Sequence, residues 1–119
     1  MLLATIIQSH PNDSHDMTAT ITATEFWQEL QSLDLRHVRL VMPLGALVRS
    51  VPIVSIQGHH PVVEMNTASG EMLTFTVSDN AEIKRSRDRR GERTVTRYEV
   101  TFPLGDYFAL ISESRNSSD

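Results

Sequence analysis

The pattern that most constrains the fold of this chain is a change of period at Arg36. Beyond that residue, apolar and polar side chains alternate over short runs, and turn-forming residues separate the runs. In RHVRLVM, at 36–42, the alternation places Val38, Leu40 and Met42 on one face of an extended strand. Short strands joined by tight turns pair with their neighbours along the chain, so this part of the sequence predicts an antiparallel sheet.

We expect five to seven short strands in this sheet. The candidate runs are 36–42, 51–57, 62–66, 71–77, 81–87, 93–102 and 106–112. Pro52 has no backbone N–H for a ladder, which favours an edge position or a bulge for the second run. The hairpin formed by the fifth and sixth runs turns at DRRGE, where Gly91 can adopt a positive φ.

One segment predicts a helix, from about Ala23 to Leu33. Thr22 and Glu25 have the spacing of a capping box, which marks a helix N-terminus. Apolar residues then recur on one helical face, at Phe26, Trp27, Leu30 and Leu33. A ligand-stacking role for Trp27 is the less favoured interpretation. The expected fold class is α+β, with this amphipathic N-terminal helix packed on a strongly bent antiparallel sheet or on a small β-barrel of five to seven short strands.

The 119 residues suit a single domain, which we place at 17–112. SHPNDSHD, at 9–16, is rich in polar turn-forming residues, so we expect 1–16 to be a flexible or dispensable N-terminal extension. The alternative, in which LLATII forms a strand, stays open. Residues 113–119 are expected to form a polar C-terminal tail.

The chain has no cysteine, which excludes disulfides, thiolate metal sites and cysteine nucleophiles. The opening MLLATIIQ is apolar, but it lacks a basic flank and is far too short to span a bilayer. We therefore expect a cytoplasmic protein with no membrane partner.

Histidine pairs are the candidate metal ligands, and we expect no metal or cofactor at either of them. His59 and His60 are adjacent, and adjacent side chains on a strand point to opposite faces of the sheet. His10 and His15 flank Asp13 in a segment that resembles a loop. Both pairs are better explained as polar surface residues.

Catalytic patterns are also missing from the sequence. It contains no nucleophile elbow, and its five glycines stand alone rather than in a phosphate-binding loop. Four carboxylates fall on or beside the expected strands, at Glu64, Glu71, Glu99 and Asp106. Solvated strand positions that discourage aggregation explain them better than a hydrolytic pair does. We expect a non-enzymatic protein with no catalytic residues.

The strongest functional signal is KRSRDRRGERTVTR, at 84–97. It holds seven of the eleven basic residues, namely Lys84, Arg85, Arg87, Arg89, Arg90, Arg93 and Arg97. With its two acidic residues the stretch has a net charge of +5, whereas the whole chain has −4, so the other 105 residues carry −9. The protein is predicted to present a basic patch on an acidic body.

The alternation predicts that these residues form a projecting hairpin. If Ile83 faces the core, Arg85 and Arg87 share its face while Lys84 lies opposite, so both faces are charged beyond Ile83. Such strands cannot lie on a core, and we expect an arm that leaves the body beyond Ile83 and Thr96. The alternative, without a binding role, is a solvated hairpin tip whose charges are balanced by acidic neighbours.

An arginine-rich β-ribbon favours anionic partners, because the guanidinium fork matches phosphate and carboxylate groups. We expect a small binding or regulatory module that contacts the phosphate backbone of nucleic acid, DNA or RNA. The alternative is an inhibitor or adaptor, of the kind that mobile elements encode, docking on an acidic protein surface. Tyr98 is the one aromatic residue in the hairpin strands, so base stacking is not indicated. A homodimer is compatible with the sequence.

Overall fold

The computed structural model of this chain describes residues 16–115. These residues form eight β-strands, one α-helix and one short 3₁₀ helix. In chain order the elements are β1 (Asp16–Ile21), α1 (Ala23–Leu30), the 3₁₀ helix (Leu35–His37), β2 (Val38–Leu44), β3 (Leu47–His59), β4 (Val62–Thr67), β5 (Met72–Thr76), β6 (Glu82–Arg90), β7 (Arg93–Thr101) and β8 (Tyr107–Arg115).

All eight strands belong to one antiparallel sheet in the order β1-β6-β7-β8-β2-β3-β4-β5. The sheet is open, with β1 and β5 at its two edges. The expected fold class was therefore wrong: the sheet has eight strands instead of five to seven, it does not close into a barrel, and the helical part is a single helix of eight residues.

The strand that the sequence did not predict is β1. Met17, Thr18, Ala19 and Thr20 are all exposed, and Ile21 is the one buried residue among 17–21. A strand that covers so little apolar surface shows no hydrophobic alternation, and its pairing rests on backbone hydrogen bonds to β6. The predicted extension at 1–16 and the alternative strand at LLATII fall almost wholly on residues 1–15, outside the described residues.

Strand β3 is a 13-residue strand that changes partners along its length. Its first half pairs with β2, up to Pro52 opposite Arg39, and its second half pairs with β4 after a register shift between Ile53 and Ser55. Pro52 lies next to this irregularity, close to the position expected of a proline in a strand, and its carbonyl accepts a hydrogen bond from the Ala68 N–H (2.9 Å).

Helix α1 begins where the capping box predicts. The Thr22 Oγ1 accepts a hydrogen bond from the Glu25 N–H (3.0 Å), and Glu25 Oε1 accepts one from the Thr22 N–H (2.9 Å). The helix ends at Leu30, three residues earlier than expected, although Leu33 still packs against the core. In the described part of the chain, no helix is long and apolar enough to cross a membrane.

The core lies on the inner face of the sheet, beneath α1. Phe26 of the helix packs against Tyr98 of β7, with ring centroids 5.7 Å apart. Phe75 of edge strand β5 stacks on Phe108 of β8 at 4.3 Å, although three strands lie between β5 and β8 in the sheet order. The sheet must therefore curl back on itself, which brings its β5 edge over its own middle.

Candidate functional site: a polar cleft beside the basic hairpin

The basic hairpin consists of β6 and β7, and neighbouring strands flank nearly its whole length. Strand β1 pairs with β6 as far as Asp16 opposite Asp88, and β8 pairs with β7 as far as Arg93 opposite Arg115. The expectation of a separate arm was therefore wrong. It failed because β1 and the last residues of β8 are polar strands, which flank the hairpin without any hydrophobic signal in the sequence.

The strand register divides the seven basic residues between the two faces of the sheet. Arg85 and Arg87 share the inner face with Ile83, as the alternation predicted, and Arg89 lies on the same face. The other four, Lys84, Arg90, Arg93 and Arg97, lie on the opposite face. The predicted cluster is thus two groups that face different surroundings.

Five of the seven basic residues are in ion pairs with carboxylates of the same chain. The pairs are Lys84–Glu82 (4.0 Å), Arg85–Glu29, Arg90–Asp88 (2.6 Å), Arg93–Glu113 (3.5 Å) and Arg97–Glu99 (3.5 Å). Within residues 16–115, the structure has no ion pair for Arg87 or Arg89. Among the described residues, these two arginines are the cations of the hairpin without a carboxylate partner.

Arg87 and Arg89 line a cleft of about 600 Å³ between the end of α1 and the inner face of β6, β7 and β8. The helix and the segment after it form one wall, and the three strands form the other. The lining residues are Glu29, Ser32, Leu33, Asp34, Arg87, Arg89, Thr94, Thr96, Tyr98, Ser112, Glu113, Ser114 and Arg115. Five of these carry hydroxyl groups on serine or threonine; that of Ser32 donates to the Glu29 carbonyl (2.9 Å), and the other four belong to β7 and β8.

The three carboxylates of the cleft are each paired with an arginine that does not line it. Glu29 is paired with Arg85, and Glu113 with Arg93. Asp34 accepts two hydrogen bonds from the Arg36 guanidinium, at 3.0 and 2.8 Å, and these bonds hold the pKa of Asp34 down at about 2. The net charge that the cleft offers to a ligand is therefore set by its three arginines, Arg87, Arg89 and Arg115, and it is positive.

Glu29 also holds the two walls of the cleft together. Its Oε2 is paired with Arg85 of β6, and its Oε1 accepts a hydrogen bond from the Tyr98 hydroxyl (2.7 Å). Burial raises the pKa of Tyr98 above its ordinary value, and the bond to Glu29 raises it further. The positive charges of Arg87 and Arg85 act on the tyrosine in the opposite direction. Tyr98 thus stays a protonated donor at neutral pH.

Residues two apart on a strand share a face and lie roughly 6.6 to 6.8 Å apart along it. Arg87 and Arg89 have this spacing on β6, so their guanidinium groups point into the cleft one after the other. Two guanidinium groups placed one after the other can bind successive anionic groups of one extended molecule. A single small anion would need only one of them.

The other candidate residues from the sequence do not come together into a site. His59 and His60 are exposed at the end of β3, and within residues 16–115 no three histidine or acidic side chains are placed to hold a metal ion. His10, Asp13 and His15 lie outside the described residues.

The candidate carboxylates are equally dispersed. Glu71 is paired with Arg49, and Glu99 with Arg97. Glu64 lies 3.4 Å from the amide of Gln57, and Asp106 accepts the Phe102 N–H through its backbone carbonyl.

The sequence did not indicate the helix side of the cleft. Glu29 and Asp34 are far from the hairpin in sequence, and only the packing of α1 on β6 and β7 brings them to it. A weak signal existed on the strands, where Thr94, Thr96, Ser112 and Ser114 place hydroxyl groups at every second position. That period puts all four on one face of neighbouring strands.

Three comparisons with known proteins bear on this site. No protein-family model, no curated protein and no solved structure matches the chain. Any assignment of function must therefore start from the cleft itself.

Proposed function

We propose that this protein is a small non-enzymatic binding module whose ligand is nucleic acid in single-stranded form, held by its phosphate backbone in the polar cleft. The observation that carries the proposal is the pair Arg87 and Arg89. They face an open cleft without an ion pair in the described residues, whereas the other five basic residues of the hairpin are compensated. An arginine fork is the side chain best suited to phosphate.

The width of the sheet favours a single strand over a duplex. A two-stranded ribbon can enter the major groove of B-DNA, which is about 12 Å wide. Here β1 and β8 flank the hairpin, and four strands about 4.8 Å apart span roughly 14 Å before their side chains are counted. A sheet end of that width cannot enter the groove, whereas one extended strand can lie in the cleft.

We expect binding to depend little on base sequence. Tyr98 is the one aromatic residue among those lining the cleft in the described chain; its side chain is only 3% exposed, and its hydroxyl is bonded to Glu29. Without an exposed aromatic platform, affinity must come from phosphate contacts and from the hydroxyl groups of the strands. The absence of cysteine agrees with the cytoplasmic location expected from the sequence.

The direct test is fluorescence anisotropy with labelled probes at low salt. Single-stranded oligonucleotides of unrelated sequence, a duplex of the same length and a polyglutamate peptide are compared on the wild-type protein. We expect similar affinity for the different single strands and weaker binding of the other two probes. Preference for the duplex would contradict the cleft as the site, and preference for polyglutamate would favour an acidic protein partner.

The variant Arg87→Gln/Arg89→Gln shows whether the cleft is responsible, and Arg90→Gln/Arg93→Gln is its matched control. Both variants remove two positive charges, but the control removes them from the opposite face, where they are paired with Asp88 and Glu113. We expect the first variant to lose at least about tenfold in affinity, since one hydrogen bond to a charged group contributes roughly 1.5 to 3 kcal/mol. The control should lose less than about threefold. Equal losses would mean that net charge, and not the cleft, determines binding.

A further inference from the structure

Strand β5, Met72–Thr76, ends the sheet with an exposed edge. It pairs with β4 on one side, and in the described part of the chain no strand pairs with its other side. The side chains of Met72, Thr74 and Thr76 are exposed, with Met72 at 60%. An unpaired edge of this kind is a template for a further strand.

The hydrogen bonds at the two ends of β5 show which backbone groups face outward. The Glu71 carbonyl accepts from Thr67, and the Val77 N–H donates to Pro61, so the odd-numbered residues are bonded on the β4 side. Backbone groups alternate in direction along an antiparallel strand. The N–H and C=O groups of Met72, Thr74 and Thr76 therefore point to the free edge.

Nothing on this edge discourages pairing. Strands at sheet edges are commonly protected by lysine, proline, a bulge or an inward charge. The run MLTFTV, at 72–77, has no charged residue and no proline, and its pairing with β4 is regular.

The sequence of β5 is complementary to itself when two copies run antiparallel about a two-fold axis at Thr74. Thr74 then lies opposite Thr74 of the second copy, Met72 opposite Thr76, and Leu73 opposite Phe75. Threonine pairs and aliphatic–aromatic pairs are favourable cross-strand neighbours. The outward groups of Met72, Thr74 and Thr76 would form three hydrogen-bonded residue pairs, and no like charges would meet.

We propose that the protein forms a homodimer in which the β5 edges of two copies pair antiparallel, joining two eight-stranded sheets into one. The exposed side chain of Met72 on β5 supports this edge as the interface, since it is one of six large apolar side chains that are exposed in the described residues. No residue of β3, β4 or β5 lines the polar cleft, so pairing of the β5 edges does not use the residues proposed to bind the ligand.

The first test is the mass in solution of the full chain, by light scattering during gel filtration at about 100 μM, where a micromolar Kd gives mostly dimer. We expect twice the 13.4 kDa chain mass. Thr74→Pro removes an outward N–H that β4 does not use, so it should give the monomer mass with an unchanged circular dichroism spectrum. A monomeric wild type at this concentration would overturn the proposal.

A charge exchange at Thr74 identifies the interface itself. Thr74→Lys and Thr74→Glu each place like charges on the two-fold axis, so each variant alone should be monomeric. Mixed in equal amounts, the two should form a heterodimer, because opposite charges then face each other. Since Thr74 is exposed, both variants are expected to fold. A wild-type dimer that survives in Thr74→Lys, or a mixture that stays monomeric, would show that β5 is not the interface.

Discussion

The Tyr98 hydroxyl donates a hydrogen bond to Glu29 Oε1 over 2.7 Å, which ties β7 to α1 at the polar cleft. The second oxygen of the same carboxylate is paired with Arg85 of β6. Glu29 therefore anchors the helix to two strands at once and neutralises the arginine nearest the core. Two residues farther along β6 and on the same face, Arg87 has no such partner among the described residues.

Tyr98→Phe should lower the free energy of unfolding by about 1 to 2 kcal/mol, because Glu29 loses a buried donor but keeps Arg85. Urea denaturation measures this change. Tyr107→Phe is the control, since Tyr107 is partly exposed and its hydroxyl has no hydrogen bond within residues 16–115. The control should change stability by less than about 0.5 kcal/mol, and equal effects would mean that the bond to Glu29 contributes nothing.

Stability should also fall at high pH because of Tyr98. Burial, followed by the bond to Glu29, raises its pKa in the folded protein, whereas in the unfolded chain it has the ordinary value of about 10. The unfolded state thus loses the proton first, and the free energy of unfolding decreases as pH rises from about 10 toward the folded pKa. Urea titrations of wild type and Tyr98→Phe across this range should show a smaller decrease in the variant. Parallel decreases would contradict the raised pKa.

Gly58→Ala should destabilise the protein by about 2 to 4 kcal/mol. Gly58 has a φ of +116°, and a Cβ there would lie 2.6 Å from the Val62 carbonyl oxygen, a backbone atom that cannot move aside. Gly45→Ala is the control, since Gly45 has a φ of +62° but nothing within 4 Å of its Cβ position. It should cost about 1 kcal/mol. Thermal unfolding of both variants measures the two losses of stability, and equal losses would contradict the tight approach at the end of β3.

Phe75 and Phe108 should be coupled energetically, because the curl of the sheet stacks them at 4.3 Å. Phe108 is fully buried, so Phe108→Ala should cost about 3 to 5 kcal/mol, while Phe75→Ala should cost less because Phe75 is only partly buried. A double-mutant cycle should give a coupling of about 0.5 to 1.5 kcal/mol. If the stability losses of the two single variants simply add, Phe75 and Phe108 are not coupled, and the β5 edge lies away from β8.

Local patterns in the sequence predicted local structure well. Thr22 and Glu25 fixed the start of α1, and the alternation around Ile83 placed Arg85 and Arg87 on the inner face. The seven basic residues were visible as a cluster, but their charge partners were not. Glu29 and Glu113, which compensate two of them, come from α1 and β8, and no spacing in the sequence records that proximity.

The errors share a physical cause, which is that backbone pairing and curvature leave little trace in side-chain patterns. Strand β1 buries only Ile21 among 17–21, so it has no hydrophobic period to detect. The contact of Phe75 with Phe108 depends on the curvature of four intervening strand pairings, which no single run of residues determines. The cleft likewise arises from the packing of the end of α1 beside β6, β7 and β8, which no local pattern in the sequence records.

The central claim is that Arg87 and Arg89 hold a phosphate backbone, and the salt dependence of single-strand binding tests it most directly. Each phosphate neutralised on a single strand contributes about −0.7 to the slope of log affinity against log salt, because condensed counterions are released. Arg87→Gln/Arg89→Gln should therefore reduce the slope by about 1.4 in magnitude, while Arg90→Gln/Arg93→Gln should leave it nearly unchanged. A wild-type protein that binds no single strand at low salt, or a slope that is the same in wild type and in the Arg87/Arg89 variant, would contradict the claim.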